Sequence, residues 1–183
     1  MSLADKVSAV RIILIPIFVS LLIYSRYHPY LRYLAVGVFI LAILSDFFDG
    51  LVARIKKEKS ELGQIIDPLA DKLLLLTSFI SLYLLHFNVY LWLVLVVVSR
   101  DLVIFLGFAI LHFLKIEVVI SPSIWGKLTT FFQMFTILWI LLDKTHYIFM
   151  SLSFFVSLAA VIFTLISGID YFIRGVKAFQ CNN

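Results

Sequence analysis

Four aspartates stand in two pairs within a short stretch of an otherwise strongly apolar chain. Asp46 and Asp49 are three residues apart, and Asp67 and Asp71 are four apart. Residues at these separations share one face of a helix, so each pair is predicted to occupy a single helix face. The short connection between the pairs predicts two antiparallel neighbouring helices, between which the four carboxylates can converge.

Four uncompensated carboxylates at the edge of an apolar segment would repel one another and lose hydration. One solution is pairing with nearby cations such as Lys72 and Arg54, as at a solvated helix end. The other is a pair of hard divalent cations, Mg²⁺ or Mn²⁺, for which oxygen ligands are suited. Two such cations roughly 3.5–4 Å apart assist displacement at phosphorus. The metal interpretation is favoured, because a solvated helix end does not need two phased pairs.

The residues between the acids fit a nucleotide pyrophosphate. Gly50 removes a side chain beside Asp49 and allows a ligand or a neighbouring backbone to approach. Arg54, one turn further on, can donate two parallel hydrogen bonds to phosphate oxygens. Gly63 opens space for a flat base or for tight helix packing. Ala53 is small for the same reason or for its helix propensity alone.

Composition predicts one all-α integral membrane domain over residues 1–183. Of the 183 residues, 63% are hydrophobic and 14% are charged, well outside the usual range of soluble domains. Six apolar segments are long enough to span a bilayer, and helices satisfy their backbone groups there. The predicted spans are 8–25, 32–54, 64–85, 89–113, 126–142 and 147–173. A single cysteine, Cys181, excludes an internal disulfide. The histidines are dispersed and are predicted to be interfacial or packed rather than ligands; they are His28, His86, His112 and His146.

The distribution of Lys and Arg predicts the orientation. With six spans, the side that holds both termini carries ten cations: Lys6, Arg11, Arg54, Lys56, Lys57, Lys59, Lys115, Lys127, Arg174 and Lys177. The opposite side carries three: Arg26, Arg32 and Lys144. Both termini are therefore predicted to be cytoplasmic, with the acidic cluster at the cytoplasmic edge of the bilayer. The net charge of +4 then favours anionic lipid headgroups as partners and argues against nucleic acid.

The combined spacing is Asp46-x-x-Asp49-Gly50-x-x-Ala53-Arg54, eight residues, and then Gly63-x-x-x-Asp67-x-x-x-Asp71. At each of its fixed positions this segment resembles the signature of the CDP-alcohol phosphatidyltransferase family. The six predicted spans with cytoplasmic ends also match, so the resemblance extends over nearly the whole chain. An Asn-x-x-Thr-x-x-Arg segment often leads the first span in related members. Here that segment begins with Asp5 and retains Arg11.

The resemblance implies a role for each matching residue. The four aspartates would hold two divalent metals, and Asp71 would also take the proton of the acceptor alcohol. CDP-diacylglycerol would be the phosphatidyl donor and CMP the leaving product. The positions that contact or flank the CDP moiety are occupied by Gly50, Ala53, Arg54, Ser60 and Gly63. Family members are often homodimers, which an apolar surface on the later spans would permit.

For the acceptor alcohol, glycerol 3-phosphate is favoured over phosphatidylglycerol, and inositol phosphate, serine or another alcohol is the remaining alternative. Lys72, Arg100 and Lys127 are cations outside the signature, and together they suit an acceptor that bears a phosphate. Residues 67–72 and the region of Lys127 look like the family members that use glycerol 3-phosphate. Residues 99–101, Ser-Arg-Asp, look more like the CMP-forming cardiolipin synthases, which use phosphatidylglycerol. Each cation also has an interpretation without an acceptor. Arg100 would form an ion pair with Asp101 or with the carboxylate cluster. Lys127 would lie at the membrane interface, and Lys72 would balance the charge of the acidic residues.

A function of another class, a small cation transporter or proton relay, would also place acids in membrane spans. It would not require Gly50, Arg54 and Gly63 at these separations. An inactive scaffold would be expected to lose at least one of the four acids, and all are present. The sequence therefore favours an enzyme.

Overall fold

The computed structural model describes the backbone of residues 3–56, 61–113, 123–142 and 147–181, and the side chains of residues 10–45, 72–107, 123–142 and 152–176. Within these ranges the regular structure is entirely α-helical, which confirms the predicted class. The six helices are α1 (Leu3–Tyr24), α2 (Tyr30–Lys56), α3 (Glu61–Leu84), α4 (Leu91–Phe113), α5 (Ile124–Leu142) and α6 (Tyr147–Cys181). Each contains one of the predicted spans to within two residues.

Among the described residues, two segments are long and apolar enough to cross a membrane. They are Ile124–Leu142 and Leu152–Val176. Among the described residues of the first three helices, the apolar stretches are Val10–Tyr24, Tyr30–Ser45 and Lys72–Leu84. The helical prediction is confirmed for six segments, and within the described side chains two of them meet the length criterion for spanning.

The chain divides into two compact units, Met1–Phe87 and Asn88–Asn183. In the first unit, α1 packs against both α2 and α3. Phe18 of α1 and Phe39 of α2 are fully buried, with ring centroids 5.5 Å apart. Leu75 and Phe79 of α3 are also fully buried. The prediction of one membrane domain over residues 1–183 stays a prediction.

The second unit is organised around α6, which packs against both α4 and α5. Polar side chains are buried between α5 and α6. The amide of Gln133 donates to Thr164 Oγ1 at 3.2 Å, and Thr129 Oγ1 donates to the carbonyl oxygen of Phe163 at 2.8 Å. Trp139 Nε1 donates to Ser153 Oγ at 3.1 Å. Hydrogen bonds between helices are typical where the surroundings are apolar.

The outward face of α6 is strongly apolar. Phe155 is 60% exposed, Ile169 61% and Phe172 67%. Apolar patches of this kind are rare on soluble monomers, whereas lipid-facing helices require them. Together with the apolar segments, this surface supports a membrane protein.

Candidate active site

The acidic motif lies on two continuous helices. Asp46, Asp49, Gly50, Ala53 and Arg54 fall within α2. Gly63, Asp67 and Asp71 fall within α3. The helical separations of three and four residues, on which the shared faces depend, are therefore confirmed. The side chains of these residues lie outside the described part, so their convergence and their metal binding stay predictions. Ser60 falls outside the described residues altogether.

The two acid-bearing helices are both held against α1, which also carries Arg11. The side chain of Arg11 is buried, with 1% of the residue exposed. Burial of a guanidinium is costly unless it interacts with other groups, and Arg11 does interact with other groups of the protein. It lies seven residues before Phe18, so the two residues share one face of α1. From the sequence, Arg11 entered only the count of cations that predicts membrane orientation and the segment before the first span that resembles the family. An arginine within an apolar helix is the signal that marks it as more than a topological charge.

Lys72 is the one candidate cation of the first unit whose side chain is described. It is half-buried in α3 and interacts with other groups of the protein. This is compatible with the charge balance that the sequence allows for it. A contact with the acceptor stays a prediction.

In the second unit, the guanidinium of Arg100 is held on three sides. Nη1 donates to Oδ1 of Asp101 at 2.6 Å, and Nη2 donates to Oγ of Ser167 at 2.5 Å. Cζ lies 5.4 Å from the ring centroid of Tyr171, over its face. The side chain of Arg100 is 8% exposed and that of Asp101 4%. The ion pair with Asp101 that the sequence allows is thus confirmed, and contact between Arg100 and the acceptor stays a prediction.

Two glycines lie beside this arrangement, and one of them makes room for it. A Cβ on Gly168 of α6 would lie 3.4 Å from Cγ of Arg100, in ordinary contact. A Cβ on Gly126 of α5 would lie 3.0 Å from Oη of Tyr171, closer than such atoms normally approach. The glycine at position 126 therefore allows the phenol of Tyr171 to lie directly against the backbone of α5.

Lys127 follows Gly126 and is exposed. Its backbone N–H donates to the carbonyl oxygen of Ser123 at 3.2 Å, in the first turn of α5. The hydroxyl of Ser123 is hydrogen-bonded to Oδ2 of Asp170 on α6, and Oδ1 of Asp170 accepts from Nε of Arg174 at 3.1 Å. The first turn of α5 is therefore connected to α6 by hydrogen bonds, close in sequence to Ser167 and Tyr171, which contact Arg100.

Comparison with known proteins identifies the family. The family model for CDP-alcohol phosphatidyltransferase matches residues 1–166, across both units. The chain belongs to this family. The probable phosphatidylglycerophosphate synthase of Mycobacterium tuberculosis is 31% identical over 96% of the chain and 82% of its own length. The CDP-diacylglycerol–glycerol-3-phosphate 3-phosphatidyltransferase of Bacillus subtilis is 31% identical over 100% of the chain and 99% of its own length. The enzyme of the same name from Aquifex aeolicus is 30% identical over 97% of each chain.

Membership confirms the enzyme class and the membrane setting that the sequence predicts. The motif on α2 and α3 stays the predicted chemical centre. The sequence did not assign Ser123, Ser167, Asp170 or Tyr171 to any site. An acid within the last apolar helix is a signal for Asp170, but the sequence offers no comparable signal for Ser167 or Tyr171.

Proposed function

We propose that this protein transfers the phosphatidyl group of CDP-diacylglycerol to glycerol 3-phosphate and releases CMP. The observation that carries the proposal is similarity over nearly the full chain to enzymes named for this reaction. The eight fixed residues of the motif, placed on two continuous helices, supply the groups that the reaction needs.

The donor set at the motif fits divalent cations. Asp46, Asp49, Asp67 and Asp71 offer carboxylate oxygens alone, the ligands that Mg²⁺ and Mn²⁺ prefer. Two bound cations would neutralise charge on the pyrophosphate and on the departing phosphate. Around them, the proposed contacts of the CDP moiety are Gly50, Ala53, Arg54, Ser60 and Gly63.

The chemical step is a displacement at the phosphorus that carries diacylglycerol. The 1-hydroxyl oxygen of glycerol 3-phosphate attacks this phosphorus, and the bond from phosphorus to the bridging oxygen breaks. That oxygen leaves as part of CMP. Asp71 takes the hydroxyl proton as the new bond forms. Arg54 donates hydrogen bonds to the phosphate oxygens and holds them in place.

The acceptor carries a dianionic phosphate, for which Lys72, Arg100 and Lys127 are the proposed partners. Lys127 is exposed at the start of α5, so it can reach a ligand without breaking a described ion pair. Arg100 is buried and already oriented. A phosphate contact would add to its existing bonds, since a guanidinium has five donors.

The proposed topology has all six helices in the membrane and both termini in the cytoplasm, at the inner membrane of a cell or its equivalent. The excess of Lys and Arg on that side supports it. The motif then lies at the cytoplasmic edge of the bilayer. There the headgroup of CDP-diacylglycerol meets water-soluble glycerol 3-phosphate while its acyl chains stay in hydrocarbon.

Purified protein assayed for CMP release decides the function. It would be given CDP-diacylglycerol with glycerol 3-phosphate, with phosphatidylglycerol, or with no acceptor. We expect CMP release and formation of phosphatidylglycerophosphate with glycerol 3-phosphate only. Release that depends on phosphatidylglycerol instead would replace the proposal with cardiolipin synthesis, and no release with either acceptor would refute both.

A further inference from the structure

The Arg100 guanidinium is oriented more completely than its ion pair requires. Asp101 is its neighbour on the same helix, so that pair alone does not join α4 to α6. The orientation comes from α6, through the hydroxyl of Ser167 and the ring face of Tyr171. These contacts set both the direction and the plane of the guanidinium.

One donor of the Arg100 guanidinium is unpaired among the described residues. This donor is Nε, which is buried and has no hydrogen-bond partner there. A buried donor without a partner is costly, and a bracing arginine would be expected to use it. A fixed planar group with a free donor is instead suited to an oxyanion, because arginine binds phosphate through several parallel hydrogen bonds.

Tyr171 makes a close approach to α5. Its hydroxyl lies where a Cβ at position 126 would be 3.0 Å away, so the phenol occupies space that a side chain at this position would take. Gly126 precedes Lys127, the exposed cation of the proposed acceptor site. The ring of Tyr171 therefore contacts both the Arg100 guanidinium and the turn that carries Lys127.

We propose that Tyr171 is a positioning residue for the acceptor: its ring, held against Gly126, orients Arg100 toward the phosphate of the acceptor. This inference rests on the proposed function, in which Arg100 binds that phosphate. Preorganisation reduces the ordering cost of binding. Loss of the ring should therefore weaken acceptor binding without affecting the lipid donor.

Four variants of the full-length protein test the role of the ring. Tyr171→Leu removes the aromatic face, and we expect it to raise the KM for glycerol 3-phosphate about 3- to 10-fold, the range of a partly desolvated cation–π contact. Tyr171→Phe keeps the face and should restore a KM within about twofold of wild type. Phe172→Leu is the matched control. It also replaces an aromatic ring with leucine, one residue further along α6, and Phe172 is 67% exposed. The KM for CDP-diacylglycerol should not change in any of them.

The fourth variant, Gly126→Ala, tests the contact with α5. It should displace the ring and raise the acceptor KM in the wild-type background, but add little in a Tyr171→Leu background, because the residue that it displaces is already gone. If Tyr171 only stabilised the packing of the helices, these variants would lower the melting temperature and leave the KM values of both substrates unchanged.

Two results would overturn the inference, and they are distinguishable. An unchanged acceptor KM in Tyr171→Leu, with a raised KM in Arg100→Ala, would refute positioning by Tyr171 and leave the proposed function intact. An unchanged acceptor KM in Arg100→Ala would remove the anion site on which the inference rests. Absence of CMP release with glycerol 3-phosphate in the wild-type protein would instead refute the function itself.

Discussion

Ser123 Oγ and Asp170 Oδ2 are 2.5 Å apart, although the residues are 47 positions apart in the chain. Ser123 immediately precedes α5, and its carbonyl oxygen accepts the backbone N–H of Lys127. One residue thus joins α6 through its side chain and the first turn of α5 through its backbone. This arrangement fixes the point from which Lys127 projects.

Lys127→Ala should raise the KM for glycerol 3-phosphate about 10- to 100-fold, because a charge-assisted contact contributes roughly 1.5–3 kcal/mol. The melting temperature should stay within about 2 °C, since Lys127 is exposed and surface substitutions usually change stability little. Steady-state kinetics with each substrate varied in turn would measure this. Arg26→Ala removes an exposed cation from the opposite predicted side and is the control. Equal KM values in the two variants would exclude Lys127 from the acceptor site.

Arg100→Ala should affect both binding and stability. The pair with Asp101 is nearly inaccessible, and removal of one partner of a buried pair costs about 3–5 kcal/mol. We therefore expect a lower melting temperature together with a raised acceptor KM. Arg100→Lys keeps the charge but lacks the planar fork that reaches Asp101 and Ser167 together, so it should recover only part of either loss. A fall in melting temperature with an unchanged KM would make Arg100 a structural residue only.

Asp71→Asn should lower kcat by at least roughly 10²-fold, the low end for the contribution of a general base. The amide keeps the size of the side chain and some capacity to bind metal, but it cannot accept the proton of the acceptor. Asp143→Asn makes the same change on the opposite predicted side of the membrane and should leave turnover unchanged. If Asp71→Asn retained activity within threefold of wild type, the base would have to be another group.

Activity should require a divalent cation. The four aspartates of the motif provide oxygen ligands without histidine or cysteine, so Mg²⁺ or Mn²⁺ should support turnover and excess EDTA should abolish it. Adding either cation back after chelation should restore CMP release. Full turnover in excess EDTA would refute the two-metal proposal.

The helices were predictable from apolar length, but their ends were not. The span 126–142 corresponds to Ile124–Leu142, whereas the span 147–173 lies in a helix that continues to Cys181. The difference is physical, because hydrophobic length reports the thickness of hydrocarbon and a helix continues beyond it wherever its backbone bonds do. For the same reason α1 begins at Leu3, five residues before the predicted span.

The candidate site shows the same limit at the level of side chains. Asp67 and Asp71 are four residues apart, so they share one face of α3 wherever that segment is helical. Arg100 and Asp101 are also adjacent in the chain, so their pairing could be foreseen. Ser167 and Tyr171 contact Arg100 from a helix about 70 residues further on. The register between two helices depends on packing over their whole length, which local spacing does not encode.

His86 lies two residues after the end of α3 and has a left-handed conformation, with φ of 54°. The N–H of Phe87 donates to the carbonyl oxygen of Leu82 and that of His86 to Tyr83, both at 3.0 Å; this is the Schellman pattern, in which glycine is preferred. His86→Gly should therefore stabilise the protein by about 1 kcal/mol, the cost of this conformation for an L-residue, and His86→Val should destabilise it. Thermal denaturation in detergent would measure both. CMP release should be unchanged in His86→Gly, because His86 is predicted to be structural; loss of activity without loss of stability would instead assign it a chemical role.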